Sequence, residues 1–214
     1  MKIKYKIITL LANFAFITLS LADYENYDGR VVYHQDFSSG SYKYSSWIEA
    51  DARVSNFFAS DLTNANFTNA LLDAASFSAA ILTNANFSSV KVNSYTKFDS
   101  ATIDGTNFSY VENFTSNQLY STRNYSFKNL IGVKFDGLVL SEWNFAEQNL
   151  TSVSFENTTV TRANFADATI NSANFSYANN FTSNQLYSTL NYKSKKLSGI
   201  GPSGLDMSGW KFAG

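Results

Sequence analysis

Any catalytic or metal-binding reading of this chain has to begin with His34, the single histidine among 214 residues that include no cysteine. A triad built on it would need a nucleophile and an acid converging on it from elsewhere in the fold, and the surrounding segment carries no such pattern. The acids Asp99, Asp104, Asp136, Glu142, Glu147, Glu156 and Asp167 are scattered without the spacing of a calcium loop. No glycine-rich phosphate loop is present. These residues predict neither an enzyme nor a bound cofactor or metal. The better candidates are aromatic: Tyr120, Tyr125 and Trp143 recur as Tyr187, Tyr192 and Trp210. Rings repeated along one side of a molecule form a candidate surface for an extended glycan or a partner protein. Packing is the competing role, since Trp143 and Trp210 stand two places before Phe145 and Phe212.

The elements that position these residues follow from a ladder. From Leu130 to Phe175 every fifth residue is large and apolar: Leu130, Phe135, Leu140, Phe145, Leu150, Phe155, Val160, Phe165, Ile170 and Phe175. A step of five is about 140° on an α-helix and an odd number on a strand, so neither keeps these side chains on one face. The chain must turn between pentads. Small residues two places before many centres (Ala163, Ala168, Ala173) point inward with them if each pentad is a short extended wall and a corner. Asn-x-Ser/Thr at Asn66, Asn86, Asn107, Asn113, Asn124, Asn149, Asn157, Asn174 and Asn180 is then a by-product of the pentad. Its asparagine is better read as a turn former bonded to its own backbone than as a glycan acceptor.

The Ala-Asn-Phe triplets at 65–67, 85–87, 163–165 and 173–175, alternating with leucine-centred pentads, resemble the pentapeptide repeat family. The resemblance covers most of the chain. It implies an all-β fold, a right-handed quadrilateral parallel β-helix of about four pentads per coil, with the centre and the residue two before it facing inward. It does not carry a function. Alternating centres then place phenylalanines on two opposite walls, with Phe67 stacked on Phe87.

In chain order, Lys2, Lys4 and Lys6 precede an apolar run from Ile7 to Phe16, and Ser20-Leu21-Ala22 has the small residues of a cleavage site. Residues 1–22 are read as an export signal, cleaved before Asp23, rather than an anchor, because the run is shorter than the roughly 18–20 residues that span a bilayer. The mature product would be periplasmic, cell-surface or secreted, with no membrane attachment. An exported chain without cysteine has no disulfides, so its stability rests on burial. Losing three lysines leaves 13 basic against 17 acidic groups, a net charge of −4. That is too weak for a charge-driven partner, and nucleic acid is not expected as one.

Residues 23–56 read as a polar lead and irregular first coils, with the register traceable from Val32 through Phe37, Tyr42, Trp47 and Ala52. The regular helix occupies 57–214, with one residue inserted before Phe98. About nine coils, about 43 Å long, are expected. A longer period lies over the first: residues 114–122 recur without change at 181–189, an offset of 67, and Leu138, Trp143 and Phe145 match Leu205, Trp210 and Phe212. Thr115-x-x-Gln118 and Thr182-x-x-Gln185 have the form of a capping box, predicting one helical turn bulging from a corner in each copy. They look like the Thr-x-Glu-Gln-Leu inserts of the family, with Asn117 and Asn184 in place of glutamate. Near Gly214 no polar cap is evident, and Pro202 stands at a ladder position. The array is therefore expected to continue in a longer protein or to meet a second copy end to end as a homodimer.

Three functional classes fit: an exported, non-catalytic scaffold for an unidentified protein partner; a module binding polysaccharide or ice through its Ser/Thr/Asn surface; and a duplex mimic, as in family members that protect topoisomerases. Export and weak charge argue against the third.

Overall fold

A pentad can bury its centre only if the chain turns before the next one. In the computed structural model, which describes residues 23–212, most pentads close by a hydrogen bond from the N–H three residues past the centre to the carbonyl of the centre. Ser60 donates to Phe57 at 3.2 Å and Ala70 to Phe67 at 2.9 Å. The residue between, two past the centre, has positive φ whatever its type: Ala59 53°, Asn64 60°, Glu147 61°. A positive φ at the third position is the geometry of a type II turn. The expected export signal and its expected cleavage site at Ala22 lie outside the described residues.

Such corners carry strain where the side chain is wrong for them. Val54 sits at φ 61°, and a left-handed conformation costs a residue of this kind about 1–2 kcal/mol. Asparagine tolerates it, so Val54→Asn is expected to raise the stability by about 1 kcal/mol. Urea denaturation checks this; an unchanged midpoint would mean the corner is not strained.

Between corners the chain makes one parallel bridge per pentad and four per twenty-residue coil: Asn26↔Ser46, Val31↔Asp51, Asp36↔Asn56 and Ser41↔Asp61. Five residues hold a turn and one rung and leave no room for more, so no longer strand occurs among the described residues. One face carries nine rungs in unbroken succession, from Asn26 to Gly201, joined by eight bridges that span about 38 Å at about 4.8 Å each. The inserted residue before Phe98 lengthens one coil, where Ser76 pairs with Lys97.

Ring columns line two opposite walls of the core, and aliphatic centres such as Leu62, Leu72 and Leu82 are buried on the other two. Phe67 stacks on Phe87 at 4.9 Å and Phe57 on Phe77 at 4.9 Å, one column on each of two opposite walls. The columns also touch each other edge to face, Phe57 to Phe67 at 5.6 Å and 88°. Offset stacking along the axis and T-shaped contact across it are the two arrangements that ring quadrupoles favour.

The first bridge, Asn26↔Ser46, precedes the expected start at Val32, so the coil already runs through residues 23–56. Their irregularity is chemical, not geometric. Glu25, Arg30 and Gln35 hold the inward register that alanine and serine hold later, and Tyr27, Val32, Phe37 and Tyr42 are only partly buried. The Tyr27 hydroxyl donates to the Glu25 carboxylate, and the Arg30 guanidinium lies 5.7 Å from the Tyr27 ring. Charged groups in the inward register blunt an open end. The opposite end is apolar: Leu197, Ile200, Leu205, Trp210 and Phe212 surround a hollow of about 250 Å³, and Phe212 is 52% exposed.

Each insert folds as two helical turns rather than the single one expected: α1 (Ser116–Tyr120) with α2 (Arg123–Ser126), and α3 (Ser183–Ser188) with α4 (Leu190–Lys193). Both capping boxes form. The second turn has its own cause, because Thr122 and Thr189 accept from the N–H groups of Tyr125 and Tyr192 and restart the helix. The first-face rungs cross these coils over 27 residues, Asn107↔Lys134 and Asn174↔Gly201, so the duplication holds in three dimensions.

Candidate functional site

Where α1 occupies a wall, the next coil loses the rung it would have paired with. The groups left over belong to Asn144. Its N–H donates to the Tyr120 hydroxyl at 2.6 Å and its carbonyl accepts from the Tyr125 hydroxyl at 2.9 Å. The two rings stack at 4.4 Å. At the second insert the Lys211 N–H donates to Tyr187, and the Tyr192 hydroxyl donates to the Lys211 carbonyl at 2.7 Å. Trp143 is 9% exposed, its ring 6.0 Å from Phe114, and Trp210 stands in the same relation to Phe181. The six aromatic residues thus come together as two equivalent clusters. Their hydroxyls are already taken up in replacing backbone partners, so they serve first as seams.

Burial, and next the neighbouring Tyr120, pushes the Tyr125 phenol up to about 12. An unfolded tyrosine ionises near pH 10, so the seam's contribution is constant below that and falls as pH rises from 10 to about 12. Thermal melts at pH 9 and pH 11 should differ, and Tyr125→Phe should flatten the difference. An identical pH dependence in that variant would show that Tyr125 is not responsible.

Two amides complete each insert. Gln118 accepts the Thr115 N–H at Oε1 and donates through Nε2 to the carbonyls of Asn93 and Thr96 at 2.8 and 2.9 Å; Gln185 does the same with Thr182, Val160 and Ala163. The Asn124 Oδ1 accepts the Ile103 N–H at 2.7 Å, as Asn191 does that of Ile170. A side-chain oxygen stands where a rung would supply a carbonyl.

His34 is exposed at a corner with φ 62°, beside Tyr33. The scattered acids have structural partners: Glu142 pairs with Arg162, Glu147 with Lys128 and Asp167 with Lys193, while Asp99 accepts from Ser78, Asp104 from Asn124, Asp136 from Ser109 and Glu156 from Asn174. Among the described residues no group of His, Asp and Glu side chains is arranged to hold a metal, and no helix is long and apolar enough to cross a membrane. Five of the sequon asparagines, Asn66, Asn86, Asn107, Asn149 and Asn174, act as turn formers, each accepting the N–H two residues on. Asn66 Oδ1 accepts the N–H of Thr68 at 3.1 Å and Asn86 that of Ser88 at 3.0 Å. They also link coils, Asn86 donating to Thr68 at 2.9 Å and Asn107 to Asn86 at 3.0 Å.

Sequence reasoning missed Tyr110 and Tyr177, the exposed aromatic pair of the duplicated unit, at 54% and 56% exposure. The 67-residue offset relates them, and following it upstream of Phe114 would have found them.

The model of the family described as pentapeptide repeats matches residues 55–93, 129–165 and 149–179, with eight copies. Among curated proteins no relative matches. Solved structures similar to this chain include a pentapeptide repeat protein from the Arabidopsis thaliana thylakoid lumen, 20% identical over 66% of this chain and 69% of that one, TM-score 0.31. HetL of the cyanobacterium Nostoc sp. strain PCC 7120, a pentapeptide repeat protein involved in heterocyst differentiation regulation, is 16% identical over 83% and 72%, TM-score 0.38. QnrB1, a plasmid-mediated fluoroquinolone resistance protein, is 14% identical over 84% and 90%, TM-score 0.37. With their fivefold register, one bridge per pentad and eight matched copies, residues 55–93 and 129–179 of this chain are pentapeptide repeats.

Proposed function

We propose that this protein is an exported, non-catalytic interaction scaffold, a right-handed quadrilateral β-helix that begins in residues 23–56, behind a cleaved leader at 1–22. The observation that supports it is the first face, whose nine rungs present one regular column of side chains. A stacked coil of this kind is a rigid rod with a repeating surface, suited to holding a partner along its length. The leader supports export, and the mature protein is expected to begin at Asp23. Mass spectrometry of secreted material tests this, and an intact Met1 terminus in the membrane fraction would reject it. For the scaffold, photo-crosslinkers placed at Thr68 and Ser88 should capture one defined protein from the native envelope. Failure to capture any would overturn the role. The apolar end hollow makes an end-to-end homodimer part of this reading, and light scattering on the purified protein tests it.

A second reading, a module binding polysaccharide or ice, is supported by the Asn/Thr/Ser network of Thr68, Asn86, Ser88 and Asn107 on that face. Glycan arrays and thermal hysteresis measurements discriminate it from the scaffold.

A further inference from the structure

Each insert opens the coil wall at a place where nothing else fills it. On the second face Leu71, Lys91 and Glu112 bridge in succession, but among the described residues no bridge joins Glu112 to Val139 or Asn179 to Asp206. The chain turns inward early, at Asn113 (φ 63°) and Asn180 (φ 59°), and sets Phe114 on Phe108 at 4.9 Å and Phe181 on Phe175 at 4.2 Å. The N–H groups of Phe114 and Val139 consequently have no partner among the described residues. Beside this opening Tyr110 packs against Gly137 of the next coil, so closely that a Cβ there would come within 2.2 Å of the ring; Tyr177 and Gly204 repeat the arrangement at 2.3 Å. Those glycines, at φ 74° and 73°, hold each ring in place without covering its outer side.

From this arrangement we propose that the corner carrying Tyr110 and Tyr177 binds an extended neutral glycan, an inference that rests on the ligand-binding reading above. The two copies share Tyr110/Tyr177, Asn113/Asn180, Phe114/Phe181 and Gly137/Gly204, whereas Glu112/Asn179, Asp136/Ser203 and Val139/Asp206 differ in charge. A ligand held at both copies is therefore recognised by uncharged groups: a phenol, the side-chain oxygen of an amide whose nitrogen in Asn180 already donates to Thr161 at 2.9 Å, and free backbone N–H donors. Phenol rings stack on the C–H faces of sugars, and the donors suit their hydroxyls. Each opening is one rung wide, too short for a peptide strand to add to the sheet. The copies lie three rungs apart, as Asn107, Lys134, Ser154 and Asn174 show, or about 14 Å. One extended chain along the rod axis would meet both rings and gain from bivalency.

Affinity electrophoresis of the purified full-length protein in gels containing dextran, laminarin, soluble starch or hydroxyethylcellulose tests this. At least one of the four should retard the protein, and the Tyr110→Ala/Tyr177→Ala variant should lose about tenfold or more of that affinity, while the Tyr→Phe pair retains most of it. Melting curves verify that each variant is folded; if the alanine pair does not fold, Asn113→Asp with Asn180→Asp replaces it, with the same loss expected. Retardation unchanged by the substitutions would overturn this site and leave the ligand-binding reading standing. No retardation by any of the four, or binding to an array of extended peptides in their place, would overturn the glycan assignment itself.

Discussion

Replacing Phe165 with alanine is expected to lower the stability by about 3–5 kcal/mol, the usual cost of removing a buried ring. The side chain is 1% exposed and touches four other rings: stacked on Phe145 at 5.5 Å, and edge to face with Phe155, Phe175 and Phe181 at 5.7, 5.6 and 5.9 Å. Relaxation cannot fill the void easily, because the coil rise is set by backbone rungs above and below, and those cannot close while neighbouring rings hold them apart. The damage should remain local, since each coil contacts only its neighbours. Hydrogen exchange should accelerate in the coils around Phe165 and least near Trp47. Phe127, 68% exposed, provides the contrast: its replacement by alanine should cost less than about 0.5 kcal/mol. A loss below about 1 kcal/mol at Phe165 would mean that its ring is not in a packed column.

The second large effect belongs to Gln118. It is 6% exposed, and its amide joins four groups: the backbone N–H and hydroxyl of Thr115 and the carbonyls of Asn93 and Thr96. Leucine of similar size would fill the space but leave the Thr96 carbonyl and the Thr115 N–H without partners, while the Asn93 carbonyl keeps the Thr96 N–H at 3.0 Å; each buried unsatisfied group costs about 1–3 kcal/mol. A loss of about 2–4 kcal/mol is expected for Gln118→Leu, concentrated in α1 and the Asn93–Thr96 corner. Gln185→Leu at the second insert should cost less, because Gln185 is only partly buried. Equal losses at the two sites would contradict a desolvation origin. Chemical denaturation and site-resolved exchange measure both.

These two residues also mark how far the sequence could be read. Phe165 was legible, because a large side chain every five residues requires a corner in every pentad. The pairing of Phe67 with Phe87 followed from counting four pentads to the coil. Gln118 was legible as the third residue of a capping box, but its two bonds back to Asn93 and Thr96 were not. They join residues 25 and 22 positions apart, and no local pattern encodes which carbonyls an inserted coil will leave open. The same limit explains the aromatic candidates. Recurrence drew attention to Tyr120, Tyr125 and Trp143, while the hydroxyl bonds that make them a seam depend on Asn144 having lost its rung.

By itself the sequence determined the fivefold register, the buried centres, the corners, the helical start at Thr115 and the 67-residue duplication. All of these are properties of neighbours in the chain, where turn geometry and side-chain size act directly. The tertiary structure alone decided which rung each coil meets, which backbone groups the inserts leave without partners, and that Tyr110 and Tyr177 stand exposed beside the two openings. Those outcomes rest on contacts between coils 20 to 27 residues apart, whose hydrogen-bond partners are chosen by the stacking of whole coils rather than by any residue's own preference.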